Sequence, residues 1–366
     1  MPSRIGIERT EAWSFTIPTD GPEADGTLAW DSTTLIVTEV SGGGHIGLGY
    51  TYGHPAIATL VTHTLAGVLH GRDAMGIPAL WEAMRRQVRN FGSPGIAASA
   101  IAAVDVALWD LKARVLDLPL ATLFGQMREN VPTYGSGGFT SYDDTRLREQ
   151  LRCWVDENGC RSVKMKIGGE PGHALSRMEA ARQAIGTAEL MIDANGACTR
   201  KAALRTARHA ATLGVTWFEE PVSSDDLPGL RLLRDHAPAP VEVAAGEYGY
   251  DPVYFRRMLE AEAVDVLQAD ATRCLGYTGF LLAAALADAH QVPLSAHTAP
   301  ALHLPVCCAA PRLRHIEWFH DHARIEAMLF EGAPRASGGT IRPDLSRPGH
   351  GLTFRHTDAR RFAART

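Results

Sequence analysis

The sequence predicts an α/β chain, a (β/α)8 barrel preceded by an α+β domain. Three observations predict it. Up to about residue 125, β-type runs come first and helical runs follow. From Val131 onward, eight short apolar runs alternate with helical or turn-bearing stretches, the pattern of a parallel sheet buried on both faces. A titratable residue also closes run after run at the spacing of one βα unit, as expected where the strand ends of a barrel converge at one mouth.

Bulk properties narrow the function. At 366 residues the chain is too long for one small core, so one large domain or two is expected. A net charge of -5 without a basic run argues against nucleic acid or an anionic membrane surface as partner. No apolar window approaches a membrane span. The opening M-P-S-R-I-G-I-E-R-T lacks the apolar core of a signal peptide, so a cytoplasmic protein is expected. Its six cysteines, without zinc-type spacing, read as reduced and mostly buried thiols.

In the first part, residues 4–15 and 32–40 read as antiparallel strands. Residues 16–30 between them, rich in Pro, Gly, Asp and Thr, read as a mobile loop, and 47–54 as a second Gly/Tyr/His-rich loop. Ile101, Val104, Leu108, Leu111 and Val115 recur at helical intervals and form one apolar stripe, ended by Pro119. The eight later runs are V-P-T-Y-G-S-G, C-R-S-V-K-M-K-I-G, A-E-L-M-I-D-A-N, V-T-W-F-E-E-P, V-E-V-A-A-G-E, V-D-V-L-Q-A-D, V-P-L-S-A-H and R-H-I-E-W. An open doubly wound sheet is the alternative, but no Gly-rich phosphate fingerprint follows any run.

Lys166, Asp193, Glu219, Glu247, Asp270, His297 and Glu317 end runs two to eight, 20 to 28 residues apart. Seven such groups at one mouth are costly without a cation or ligand to offset them. Asp193, Glu219 and Glu247 offer three hard oxygen donors with no Cys or His, a set suited to Mg2+. Their alternative is pairing with the two lysines alone, which leaves surplus negative charge. Glu220, next in line, points to the other face and is expected in a structural salt bridge.

Lys164 and Lys166 share one strand face, so each is expected to push the other's pKa towards neutrality, where a lysine accepts a proton from carbon. Solvated lysines on a strand edge are the plainer reading of an isolated K-x-K. Asp270 and His297 end neighbouring strands, so the carboxylate can fix the imidazole's tautomer and raise its basicity. His303, His315, His320 and His322 are expected to be ordinary core or surface histidines. Lys166 and His297 then face each other across the metal. Together these groups suit removal of the proton next to a carboxylate, with the enediolate stabilised by Mg2+ and Lys164. Glu317 either donates a hydrogen bond to that carboxylate when protonated or pairs with Lys164 as an anion.

These motifs resemble the enolase superfamily, in its mandelate racemase subgroup. They are A-I-A-A-V-D-V-A-L-W-D-L-K-A-R, K-M-K, D-A-N at Asp193, E-E-P at Glu219, G-E at Glu247, the Asp270/His297 pair, Glu317 and P-G-H-G. The resemblance covers nearly the whole chain. It implies a modified (β/α)8 TIM barrel (126–329) with an α+β capping domain (1–125, completed by the tail 330–366). It makes Asp193, Glu219 and Glu247 the Mg2+ ligands and Lys166 and His297, the latter with Asp270, the two bases. Lys164, Glu317 and Ser136 then contact the substrate carboxylate, with Asn195 in reach. Asp270 replaces the sixth-strand lysine of muconate-cycloisomerising and dipeptide-epimerising relatives, which argues against those activities.

The expected partner is a small-molecule carboxylate and the expected activity dehydration of an acid sugar to a 2-keto-3-deoxy acid. The alternatives are racemisation or epimerisation of a 2-hydroxy acid and, more remotely, a barrel that binds metal and acid without turnover. A homo-oligomer is expected on the resemblance alone. Specificity is expected from segments 16–30 and 47–54. The first holds Asp20, Glu23 and Asp25 and no Arg or Lys, which favours monocarboxylate sugar acids, although Arg273 is a candidate cation for a second carboxylate.

Overall fold

The structure, a computed structural model, describes residues 4–168 and 171–363. Gly169 beside the K-M-K motif, and residues 1–3 and 364–366 of the capping segments, lie outside them. All eight apolar runs are strands: β4 (Val131–Gly137), β5 (Ser162–Lys166), β6 (Glu189–Asp193), β7 (Val215–Glu219), β8 (Glu242–Ala245), β9 (Val266–Ala269), β10 (Leu294–Ala296) and β11 (Leu313–Phe319). They pair in parallel in chain order, and β11 closes on β4 with Glu317 opposite Tyr134. A helix connects each strand to the next, from Asp144–Asp156 to Pro300–Ala309. Tyr134, Met191, Trp217, Ala244 and Val266 fill the barrel's interior, so it is a packed core below the mouth.

The three numbered strands that come first, β1 (Ile7–Ala24), β2 (Ala29–Gly42) and β3 (His45–Tyr52), form an antiparallel sheet in the order β1-β2-β3. Both expected loops are therefore largely strand. Segment 16–30 is the far end of a long hairpin whose pairing shifts register between Pro18 and Glu23. Its turn is tied by Asp25, whose carboxylate accepts from the N–H groups of Thr27 (2.6 Å) and Leu28 (2.7 Å). The tip is seated on the barrel: Thr140 N donates to Ala24 O at 2.8 Å and Ser141 Oγ to Pro22 O at 2.6 Å. A Cβ on Gly26 would lie 2.4 Å from Ala194 O and 2.8 Å from Ile167 O. The hairpin thus lies directly over the strand ends that carry Lys166 and Asp193.

Segment 47–54 is mostly β3, and its glycines serve close packing rather than a turn. A Cβ on Gly47 or Gly49 would meet the carbonyl oxygen of Ala107 or Ala103 at 2.1 Å. The helix Ile96–Val115 lies that near the sheet, and instead of one apolar stripe it buries almost its whole circumference. One side joins the capping core, while Val106 and Ala113 join the barrel core. It ends before Pro119 as expected, with Asp117 at φ 53°. The tail returns to this region, where Ala363 bridges Phe15 and Gly349 bridges Pro119. All six cysteines are free thiols, four of them buried. Among the described residues, no helix is long and apolar enough to cross a membrane.

Candidate active site

Parallel strands in register bring their C-terminal residues to one level: Lys166 pairs with Asp193, and Asp193 with Glu219. Glu247, Asp270 and His297 follow the ends of β8, β9 and β10, and Glu317 lies in β11. All seven are buried, as are Lys164 and Ser136. One oxygen from each of Asp193, Glu219 and Glu247 lies within 4.8 Å of the others. Asp193 is fixed by the Asn195 N–H (2.9 Å) and Glu219 by the Trp217 indole N–H (2.9 Å), while Glu247 Oε2 lies 3.2 Å from His297 Nε2. Three hard oxygen donors with unused lone pairs fit Mg2+.

The lysines correct one expectation. Each faces carboxylates rather than its neighbour. Lys164 Nζ lies 2.6 Å from Glu219, 2.8 Å from Glu317 and 3.4 Å from Asp193, and Lys166 is hydrogen-bonded to Asp193. Burial pulls both pKa values down, but the carboxylates outweigh it and hold both above the ordinary lysine value. Burial pushes Glu219 up to about 8, with Asp193 adding to it. Glu247 is held well below its usual range, because His297 and Arg273 outweigh burial.

Glu317 is an anion. Burial opposes this, but Lys164 and His297 bring it to about 2, and it accepts from Ser136 Oγ (2.5 Å) and Thr298 N (3.0 Å). Of its two expected states, the one paired with Lys164 is present. Ser136 enters the site through this bond. Asn195 sits beside Asp193 in a left-handed conformation (φ 46°), its Oδ1 without a partner.

His297 Nδ1 meets Asp270 Oδ2 at 2.8 Å, as expected, and Nε2 faces Glu247 at 3.2 Å. Burial lowers its pKa, but Glu247, Glu317 and the bond to Asp270 raise it to about 10. Asp270 is fixed in turn by the Thr272 N–H and hydroxyl, both at 2.7 Å. His297 and Lys166 stand on opposite sides of the mouth, with β4 and β11 between them one way and β6 to β9 the other.

Two further residues differ from expectation. Glu220 has no salt bridge among the described residues. It is buried with Oε1 unpartnered at φ 36°, and burial with the charge of Glu247 pushes its pKa up. It lines a cavity of about 760 Å³ with Asn195, Tyr248 and Tyr254, outside the carboxylate ring. Arg273 is not a free cation: it contacts Glu247 (3.4 Å) and Asp270 (3.6 Å) and lies over the Tyr248 ring.

The four histidines expected to be ordinary divide into two pairs. His303 is a satisfied core residue, accepting from Ala271 N and bonded to the Thr298 and Ala299 carbonyls, whereas His315, bonded at Nδ1 to Ser295 Oγ, is buried with Nε2 unpartnered. The other two stand at the mouth. His320 pairs with Asp20 (2.9 Å), and His322 stacks on Tyr52 (3.5 Å). Asp321, between these two histidines in the H-D-H string after β11, and Tyr52, closing β3 against His322, stand beside them.

Comparison with known proteins decides the family. The model for the mandelate racemase / muconate lactonizing enzyme N-terminal domain matches residues 20–125, and the enolase C-terminal domain-like model matches 146–359. The chain belongs to the mandelate racemase / muconate lactonizing enzyme family.

Within the family, the chain is 33% identical to a 3,6-anhydro-alpha-L-galactonate cycloisomerase of Streptomyces coelicolor, over 94% of this chain and 96% of that protein. It is 33% identical to an L-talarate/galactarate dehydratase of Salmonella typhimurium, over 81% and 77%. A mandelate racemase/muconate lactonizing enzyme-like protein from Rubrobacter xylanophilus superposes at TM-score 0.95 with 51% identity, covering 98% of this chain and 99% of that one. A racemase from Streptomyces coelicolor with bound magnesium superposes at 0.92 with 31% identity, covering 98% and 100%.

Proposed function

We propose that the protein dehydrates an acid sugar, removing the proton next to the carboxylate and then the 3-hydroxyl to give a 2-keto-3-deoxy acid. The observation that supports this most is the placement of Lys166 and His297, two groups able to carry a proton, on opposite sides of one carboxylate ring. Asp193, Glu219 and Glu247 would hold Mg2+. Bound there, it would supply positive charge beside the enediolate, and with Asp193 so engaged Lys166 would lose part of what holds its ammonium form.

The chain's own residues do the rest. Lys164, anchored by Glu317, offers a fixed ammonium to the substrate carboxylate, and Ser136 holds Glu317 in that pairing. One of Lys166 and His297 takes the α-proton. The electron pair left on carbon forms the double bond to carbon three as the C3–O bond breaks, and the opposite group protonates the departing hydroxide. The enol product then becomes the 2-keto-3-deoxy acid. Asp270 holds the His297 ring with Nε2 directed at the mouth. Relatives that dehydrate an acid sugar support this reading. A racemase or epimerase would use the same two groups, and the magnesium-bound neighbour described as a racemase keeps that second reading in view.

The test is a screen of acid sugars with Mg2+, read as 2-keto-3-deoxy acid by its semicarbazone absorbance. Accumulation of product from one or two acids supports dehydration. A new diastereomer without keto acid would favour the second reading.

A further inference from the structure

The carboxylate ring stands on two unlike floors. Met191 and Trp217, in register with each other, lie one step beneath Asp193 and Glu219. At the same step beneath Asp270, His297 and Glu317 lie Gln268, Ser295 and His315. Alternate strand residues share a face, so these three also point into the barrel. Ser295 is in register with both Gln268 and His315, which makes a polar belt across three neighbouring strands. Tyr134 on β4 completes it, with its ring 4.6 Å from that of His315.

All four are buried. Among the described residues, nothing hydrogen-bonds to Tyr134 Oη, to either amide atom of Gln268 or to His315 Nε2. His315 Nδ1 is occupied by Ser295 Oγ at 2.9 Å. Burial, with Arg314 and Lys164, lowers the His315 pKa to about 3, so the ring is neutral. Buried polar groups in native proteins find a partner in protein or in ordered water. This set mixes donors and acceptors, since the phenol and the amide each offer both. A cation would find no anionic oxygen among them, whereas water donates and accepts at once.

The belt also touches the working groups above it. The His315 ring packs against Tyr134 and, at 5.4 Å, against Trp217. The Lys164 ammonium lies over the Tyr134 ring at 5.5 Å, and the Trp217 indole donates to Glu219 Oε2 at 2.9 Å. Tilting either ring would move the ammonium offered to the substrate carboxylate or the carboxylate offered to Mg2+. We propose that Tyr134, Gln268 and His315 hold ordered water beneath the mouth, and that this hydrated belt makes His315 a positioning residue for Lys164 and Glu219. The positioning role rests on the reading of Asp193, Glu219 and Glu247 as Mg2+ ligands.

Two measurements test it. A crystal structure of the wild-type protein is expected to show water within hydrogen-bond reach of at least two of Tyr134 Oη, the Gln268 amide and His315 Nε2. A dry belt would overturn the proposal. His315→Phe keeps a ring between Tyr134 and Trp217 but offers no nitrogen to Ser295 or water, while Tyr134→Phe removes one hydroxyl and leaves every ring in place. Calorimetry on the folded variants is expected to show Mg2+ binding weakened about tenfold in His315→Phe, as for other residues that orient a metal ligand. In Tyr134→Phe the expected loss is about threefold, one modest hydrogen bond's worth. Unchanged affinity in either folded variant, whatever its melting temperature, would leave the belt as packing alone and overturn the positioning role. A wild-type protein that binds no Mg2+ would overturn the metal reading and the positioning role with it, while the crystal structure still decides the water.

Discussion

His297 Nδ1 and Asp270 Oδ2 meet at 2.8 Å across neighbouring strand ends, which fixes the imidazole with Nε2 turned to Glu247. An asparagine at 270 presents either an amide N–H or a neutral acceptor to Nδ1, so tautomer and basicity both suffer. Asp270→Asn is expected to lower kcat by about 10² to 10⁴-fold with little change in KM. Lys166→Ala and His297→Asn are expected to lose at least about 10³-fold each. Steady-state kinetics on the substrate found by screening checks all three.

Removing the cation is the second prediction. Chelation is expected to abolish turnover, and added Mg2+ to restore it. Asp193→Asn, Glu219→Gln and Glu247→Gln are each expected to weaken Mg2+ binding by about tenfold or more, read by calorimetry on the protein alone.

The hairpin's seat gives a third. A methyl group on Gly26 would collide with Ala194 O and Ile167 O, so Gly26→Ala lifts the tip from the mouth. KM is expected to rise about tenfold or more while the melting temperature moves little, because the clash lies at an element tip. Gly49→Ala meets Ala103 O inside the sheet–helix contact and is expected to cost about 3 kcal/mol of stability in denaturant unfolding.

A fourth concerns pH and lies away from the metal ligands. Glu326 accepts from Tyr50 Oη (2.6 Å) and Ala301 N (2.9 Å), joining β3 to two barrel helices. Burial raises its pKa from 4.5 to about 8. The folded state therefore binds the proton more tightly than the unfolded chain. This contribution is fully present below pH 4.5 and is lost as pH rises towards 8. Glu326→Gln removes the titration, keeps Ala301 N as donor to the amide oxygen and turns Tyr50 Oη into an acceptor from the amide nitrogen. Its stability is expected to fall less than that of wild type over this window, by on the order of a few kcal/mol, in denaturation series at several pH values.

The barrel and its ring were legible because parallel strands put side chains of equal rank at one level, so the spacing from Lys166 to Glu317 carries the geometry. The hairpin was not. Pro18, Gly21, Pro22 and Asp25 read as a free loop, and only the barrel rim beneath them holds that segment extended. Gly47 and Gly49 looked like loop glycines because close helix packing leaves no local mark. The lysine pairings depend on which carboxylates lie across the barrel, so a neighbour two residues away was a poor guide. Glu220 does leave the ring that holds Glu219, but the alternation says nothing of whether a cation waits on the other side, and Oε1 has no partner there.

The central claim is that this mouth removes a proton next to a carboxylate. Proton NMR in D2O with Mg2+ present, across acid sugars and 2-hydroxy acids, tests it most directly. The predicted result is loss of the α-proton signal and growth of a monodeuterated methylene at carbon three, abolished by chelation and in Lys166→Ala or His297→Asn. No exchange from any acid, with Mg2+ shown by calorimetry to be bound, would contradict it.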